Sequence, residues 1–301
     1  MKQDDRSGIL LALAGFALLS VGDAVVKTMA GEWSPLAVAT LRFAIGSAGL
    51  SLLLAKFEGR RAFRPSHPWL QVGRGFCLAA ASLCFFSAVF VMPLASAMAL
   101  AFVAPVFVAL LSGPLLGERV RPAVWLASAV ALCGVALVLR PNFAEIGPAA
   151  LLPLGSAFFF GLMVIANRAS AGQGSALSMQ VFIQIAAMPL LLIAAWTGNL
   201  SGVEALRVGT PDWTVIGRCA IVALTASTAH CLVYMATQRA GAATIAPVTY
   251  VQMLVATTLG WWWFDDVPDL LTLGGAGAII GAGLLLWWSA PPAAPQPVRK
   301  D

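Results

Sequence analysis

The chain has 301 residues, of which 60% are hydrophobic and only 10% are charged, and its formal net charge is +5. A soluble domain would carry about 25% charged residues, so this composition excludes an ordinary soluble globular protein and indicates an integral membrane protein. The basic residues are scattered over short segments and form no single patch, which excludes a nucleic-acid-binding surface.

Apolar runs of membrane-spanning length follow one another along almost the whole chain. A helix needs about 20 apolar residues to cross a hydrocarbon core about 30 Å thick. The sequence therefore predicts an all-α integral membrane fold with ten transmembrane helices. The predicted spans are 8–30, 34–56, 69–92, 94–117, 122–140, 147–167, 176–197, 212–237, 241–264 and 268–289.

The charged residues between the spans predict the orientation. One side collects basic residues, with Lys56, Arg60, Arg61 and Arg64 after span 2 and Arg74 just inside span 3. The other side holds the acidic segments 31–34 and 265–269. The positive-inside rule then predicts a multi-pass protein with both termini in the cytoplasm. The proline-rich segment 291–301 is predicted to be a disordered cytoplasmic tail.

The two halves of the chain, 1–145 and 146–290, resemble each other. FFSAVFVMPLASAMALAF at 85–102 matches the pattern of CLVYMATQRAGAATIAPV at 231–248, and GDAVVK from Gly22 matches GLMVIAN from Gly161. Each half holds five predicted spans, and a duplicated unit with an odd number of spans must insert its second copy upside down. The sequence thus predicts two inverted five-helix repeats, an arrangement that places a substrate site near the midplane between them.

Several features resemble a known family. Lys27 at the end of span 1, SPLAVATLRF at 34–43, and a small-residue run leading to PLLGER at 114–119 are similar to the drug/metabolite transporter superfamily. Within it, the chain resembles the EamA-type ten-helix exporters, and especially bacterial exporters of aromatic and other neutral amino acids (the YddG type). This resemblance implies export from the cytoplasm by alternating access, through a central cavity lined mainly by spans 1, 3, 4, 6, 8 and 9.

Four charged residues stand out among those inside predicted spans. Charged groups in lipid cost several kcal/mol, so each is a candidate functional residue. Asp23 and Lys27 are four residues apart on span 1, and Arg42 and Arg218 lie at similar depth in spans 2 and 8. They are predicted to form a gate or to bind a substrate carboxylate. The alternative is that the long side chains reach the membrane surface while Asp23 pairs with Lys27.

Uncharged and aromatic side chains within the spans are candidates for the cavity wall. His230 lies in predicted span 8, and its imidazole could change protonation state near neutral pH. A site for an apolar side chain also needs aromatic and methionine walls with few polar anchors. The predicted substrate-binding residues are Ser82, Phe86, Met98, Phe102, Phe159, Met163, Gln184, Thr225, His230, Tyr250 and Gln252. Helix packing is the alternative role for each of them.

These observations predict a secondary transporter that exports amino acids, aromatic and other neutral ones first. Efflux of amphipathic drugs or other small metabolites is the alternative. No Walker A pattern, nucleophile–base pair or metal-ligand cluster is present, so the sequence predicts neither an enzyme nor a cofactor or metal. The expected partners are the small-molecule substrate and membrane lipids. Small-residue faces at Gly113 with Gly117 and at Gly277 with Gly281 could pack within one chain or pair two copies in a homodimer.

Overall fold

The computed structural model describes residues 5–116, 122–139, 147–170, 172–245, 248–249, 251–265 and 267–289. Secondary structure in these ranges is helical throughout. Among the predicted features, the PLLGER turn from Gly117 onward, Tyr250 and the tail 291–301 lie outside the described residues.

Eleven α-helices are present in the described part of the chain. They are α1 (Asp5–Lys27), α2 (Pro35–Phe57), α3 (Pro68–Val91), α4 (Leu94–Ala101), α5 (Ala104–Leu116), α6 (Pro122–Leu139), α7 (Leu151–Ala169), α8 (Ala176–Leu200), α9 (Trp213–Ile245), α10 (Val251–Phe264) and α11 (Leu270–Ser289). Short 3₁₀ turns lie at Arg60–Phe63, Gly147–Ala150 and Glu204–Leu206.

Six segments of the described chain are long and apolar enough to cross a bilayer. They are Ser7–Lys27, Pro35–Phe57, Pro68–Val91, Gly147–Asn167, Ala176–Leu200 and Trp213–Ala236, with mean hydropathies from 1.6 to 2.3. Lipid offers the backbone no hydrogen-bond partners, so crossing segments must satisfy their own amide groups, as helices do. The chain is therefore a multi-pass membrane protein.

The prediction of one continuous helix over 94–117 is wrong. α4 ends at Ala101 and α5 begins at Ala104. Pro105 has no amide hydrogen to donate to the carbonyl of Ala101, so the i to i+4 ladder breaks there. Val103 N–H instead donates to Leu100 O at 3.2 Å, which tightens the chain into a turn. The region that follows α3 is consequently two short helices.

The predicted boundary between spans 8 and 9 also lies elsewhere. α9 runs for 33 residues to Ile245, and α10 begins only at Val251. The predicted break at 238–240 is bridged because the segment is rich in alanine, the strongest helix former, and a single Gly241 does not end a helix. The resulting helix is about 50 Å long.

Helix pairs organise the bundle. α1 packs along α9, α3 along α7, α2 along α8, and α6 along α11. Glycine allows the close approach of α1 and α9, because a Cβ on Gly22 would lie only 2.8 Å from Thr225 Oγ1. A continuous hydrophobic core, with Phe43, Leu94 and Leu100 among its fully buried members, fills the space between α2, α3 and α4. These pairings bring polar residues of α2, α8 and α9 together inside the bundle.

Candidate functional site

Arg42 is a buried arginine on α2. Its side chain is 8% exposed, and its guanidinium carbon lies 4.3 Å from the centroid of the Phe43 ring and 5.4 Å from that of Phe86 on α3. The electron-rich ring faces stabilise the cation. Within the described part of the chain, its Nε atom is buried and has no hydrogen-bond partner. Arg42 therefore holds a positive charge inside the bundle with an unused donor.

Gln184 on α8 presents the complementary group. It is 6% exposed, and its Nε2 atom donates to Ser227 Oγ on α9 at 3.2 Å. Its Oε1 atom is buried without a partner among the described residues. This oxygen lies directly over Gly46 of α2, where an added Cβ would approach it to 2.5 Å. A free acceptor thus lies against the same helix that carries the free donor.

The acceptor lies against α2 one helical turn from the residue that carries the donor. Arg42 and Gly46 are four residues apart on α2, so they share one face and are separated by about 6 Å along the axis. An unpaired buried donor or acceptor costs about 1–3 kcal/mol. A small molecule with an anionic acceptor and a cationic donor close together would satisfy both groups at once.

Other ionisable groups surround this pair. Asp23 on α1 and His230 on α9 both lie within electrostatic range of the Arg42 guanidinium. Thr225 faces α1 at Gly22, and its hydroxyl donates to Val222 O at 3.1 Å. Within the described ranges, no three histidine, cysteine, aspartate or glutamate side chains group together as metal ligands.

Several of the predicted wall residues, Phe86 among them, lie in the main hydrophobic core. Phe86 contacts Arg42, and Ser82 lies one turn before it on α3, 9% exposed. Met98, Phe102 and Met163 are buried in the main hydrophobic core.

Two further predicted residues lie in other helix contacts. Phe159 packs edge-on against Phe76 at 6.0 Å, and Phe76 is itself 47% exposed, so this aromatic pair lies toward the outside of the α3–α7 pair. Gln252 accepts a bond at its backbone oxygen from Ser20 Oγ at 2.7 Å, which ties α10 to α1.

Arg218 is already engaged by other residues. Its Nη1 atom donates to Thr28 O at 2.8 Å and to Glu32 Oε1 at 2.9 Å, and its Nη2 atom bonds the second oxygen of Glu32. This contact lowers the pKa of the Glu32 carboxyl below its ordinary value, mainly through the hydrogen bond. At the same end, Lys27 Nζ donates to Met92 O at 3.1 Å. Of the two predicted carboxylate-binding arginines, Arg42 is thus the one with an unused buried donor.

Arg74 is a buried arginine that is not among the predicted site residues. It is 1% exposed, its Nε atom donates to Asn167 Oδ1 at 2.7 Å, and its Nη1 atom donates to Gln71 Oε1. Its position inside predicted span 3 could have identified it, because a charged residue within a span is a functional candidate. Arg74 ties α3 to the end of α7, at the membrane face opposite to Arg218.

The sequence matches a transporter family over nearly its full length. The EamA-like transporter family matches residues 6–140 and, a second time, residues 147–288. The chain belongs to this family. It is therefore a membrane transporter of the drug/metabolite transporter superfamily, as the sequence resemblance predicted.

Curated members of this family carry different substrates. A riboflavin transporter of Rhizobium johnstonii is 27% identical over 70% of this chain and 67% of its own length. The pseudopaline exporter CntI of Pseudomonas aeruginosa is 34% identical over 51% of this chain and 54% of its own length. An S-adenosylmethionine uptake transporter of Rickettsia prowazekii is 25% identical over 60% of each chain. The matches thus span between about half and two thirds of these relatives.

A solved crystal structure shares the fold. It superposes with a TM-score of 0.66, covers 94% of this chain and 98% of its own, and is 22% identical in sequence. At this identity the likeness shows the fold alone.

Proposed function

We propose that the protein is a secondary transporter that exports amino acids, aromatic and other neutral ones first, from the cytoplasm. Transport proceeds by alternating access through a central cavity between two inverted five-helix repeats. The protein lies in the bacterial inner membrane with both termini in the cytoplasm, and it acts on its substrate without chemical change.

The unpaired polar atoms of Arg42 and Gln184 carry the proposal for the substrate. A carboxylate bound at Arg42 Nε forms a charge-assisted bond, and an ammonium group bound at Gln184 Oε1 supplies the missing donor. An amino acid carries both groups on neighbouring atoms. Two hydrogen bonds of about 2.9 Å each would let such a zwitterion join the two helices that carry these side chains. The Phe86 ring beside Arg42 offers an apolar contact to the substrate side chain.

The pairing of the helices supports two related halves. If the two halves are exchanged, the α1–α9 pair becomes the α7–α3 pair. In the same way, the α5–α7 pair becomes the α10–α1 pair. All four of these contacts are present. The α2–α8 and α6–α11 pairs convert into themselves. The two successive family matches agree with this division. Inverted repeats of this kind place a substrate site near the midplane, between the two halves that carry Arg42 and Gln184.

The distribution of basic residues supports the orientation. The exposed Arg60, Arg61 and Arg64 lie at the same end of the bundle as Arg74, and Glu32 lies at the opposite end. The positive-inside rule assigns the Arg74 end to the cytoplasm and the Arg218 end to the periplasm.

Counterflow into liposomes tests the substrate. Purified protein is reconstituted, the liposomes are preloaded with one unlabelled compound, and uptake of labelled phenylalanine is followed. Phenylalanine should drive accumulation, whereas 3-phenylpropionate, which lacks the ammonium group, and 2-phenylethylamine, which lacks the carboxylate, should not.

Variants then assign the two groups. Arg42→Gln should abolish phenylalanine counterflow, and Gln184→Leu should weaken it at least tenfold, because each leaves one charged substrate group unpaired. Arg207→Gln, at an exposed loop position, is the matched control and should transport normally. Equal activity of Arg42→Gln and the control, at equal protein yield, would contradict the assignment of Arg42.

A second candidate is efflux of other small metabolites, which the substrates of the curated relatives favour. The same liposomes preloaded with riboflavin or S-adenosylmethionine test it. Counterflow of either compound without any amino acid activity would replace the amino acid proposal and leave the transporter assignment unchanged.

A further inference from the structure

We propose that Arg74 and Arg218 are the two gate residues of the transport cycle, one closing each end of the substrate pathway. The Arg74 contact is defined as Arg74 with Asn167 and Gln71, and the Arg218 contact as Arg218 with Thr28 and Glu32. This inference rests on the proposed alternating access between two repeats.

The two contacts are related by the internal repeat. Arg74 lies in the second turn of α3 and Arg218 in the second turn of α9, and these helices hold equivalent positions in the two halves, although the repeat aligns Arg74 with Ala220 and not with Arg218. Their partners correspond as well, because Asn167 follows Gly161 by six residues and Thr28 follows Gly22 by six residues. One structural device therefore occurs twice, once at each end.

Each contact joins one half of the chain to the other. Arg74 belongs to the first half and bonds Asn167 of the second, whereas Arg218 belongs to the second half and bonds Thr28 and Glu32 of the first. Rocking two halves about a midplane site opens one end while it closes the other. In each open state, therefore, one of the two contacts is broken and the other is formed.

Both contacts are formed together in this structure. This is the arrangement of a state closed at both ends.

The two closures differ in strength. Arg74 is 1% exposed, whereas the side chains of Arg218 and Glu32 are 23% and 46% exposed. Water and salt weaken an exposed ion pair, so loss of Arg74 should shift the balance between open states more than loss of Arg218.

Two native cysteines report on the ends. Cys219 follows Arg218 directly, is fully buried, and places its Sγ atom 3.8 Å from Met29 Sδ. Cys77 is half-buried on α3, three residues after Arg74. Opening at either end should expose the neighbouring thiol to a water-soluble reagent.

Thiol labelling of the full-length protein in membranes tests the gates. In one background only Cys219 of the five cysteines is kept, and in the other only Cys77, with the remaining four replaced by alanine. A membrane-impermeant maleimide is applied to spheroplasts, which expose the periplasmic face, and to inverted vesicles, which expose the cytoplasmic face. The variants are Arg218→Gln and Arg74→Gln, with the exposed Arg207→Gln and Arg64→Gln as matched controls.

Reciprocal changes are the expected result. Arg218→Gln should raise Cys219 labelling several-fold and lower Cys77 labelling, and Arg74→Gln should do the reverse. The double variant should return both rates toward those of the parent, because the two losses bias one equilibrium in opposite directions. If either variant raises labelling of both thiols, or the double variant adds the two increases, the arginines only hold the fold together.

A second variant covers the case in which Arg74→Gln fails to fold. Asn167→Ala keeps the arginine and its bond to Gln71 but removes the partner across the halves, and it should give the same reciprocal pattern in a weaker form. Labelling needs no substrate, so this test is independent of amino acid counterflow. If the protein shows amino acid counterflow but the variants leave labelling unchanged, only the gate proposal is overturned. If labelling changes reciprocally but no amino acid counterflow occurs, only the proposed substrate is overturned.

Discussion

Gly46 of α2 provides the space that the amide of Gln184 on α8 occupies. A Cβ at position 46 would lie 2.5 Å from Gln184 Oε1 and 3.4 Å from Ser227 Oγ. The absence of a side chain therefore lets the amide lie against α2, one turn from Arg42. This one contact links the packing of three helices to the geometry of the proposed site.

Gly46→Ala should impair transport without unfolding the protein. The added methyl group displaces the end of a flexible side chain, so the Gln184 oxygen moves away from Arg42 while α2 gains helix propensity of about 1 kcal/mol. We expect a several-fold loss of phenylalanine counterflow and an unchanged melting temperature. Gly49→Ala, on the same helix with nothing within 4 Å of the added atom, is the control and should keep full activity. Equal activity of the two variants would show that the Gln184 position is unimportant.

Gly75→Ala should destabilise the fold. A Cβ there would lie 2.6 Å from the backbone carbon of Ala186, so α3 and α8 must separate. Overpacking of this kind costs about 1–3 kcal/mol. Thermal unfolding in detergent should show a lower melting temperature for Gly75→Ala than for Gly73→Ala, whose added atom meets open space. Equal melting temperatures would mean that the α3–α8 contact relaxes freely.

Phe86→Leu should weaken substrate binding. Its ring lies 5.4 Å from the Arg42 guanidinium and is the contact that α3 makes with this cation. The same ring offers an apolar contact to the substrate side chain, so its loss should raise the half-saturating phenylalanine concentration in counterflow several-fold. Phe85→Leu removes a neighbouring buried ring with the same loss of volume. An equal rise in both variants would point to general loosening of the core.

Acid should remove the stabilising effect of Glu32. Bonding to Arg218 lowers the pKa of this carboxyl from its ordinary value of 4.5. A group whose pKa is lowered by folding adds stability above its unfolded pKa and loses it as the pH falls through the folded pKa. The melting temperature of the parent should therefore exceed that of Glu32→Gln at pH 7, and the difference should shrink below pH 4.5. A difference that stays constant to pH 3 would show that the charge of Glu32 is not the cause.

Hydropathy and charge were enough to predict the class of protein. Apolar runs of about 20 residues require membrane-crossing helices, and charge in the connecting segments follows the membrane faces. The family was also predicted from short motifs, among them the segment around Arg42. The helix boundaries were less accurate because Pro105 breaks a run that remains apolar, and because the alanine-rich end of α9 continues past a glycine.

The site residues could be predicted only in part. Arg42, Gln184 and Arg218 were candidates because buried charge and amide groups are costly in lipid. Glu32 and Asn167 were missed because their roles depend on arginines 186 and 93 residues away in the chain. No local pattern marks such a partner.

By itself, the sequence determined that the chain crosses a membrane and which of its polar residues are costly to place in lipid. The tertiary structure decided which of these residues have partners. It left Arg42 Nε and Gln184 Oε1 without partners in the described structure and engaged Arg74 and Arg218 at opposite ends. The physical reason is that hydropathy depends on each residue alone, whereas hydrogen bonds form between atoms that only the packing of distant helices brings within 3 Å.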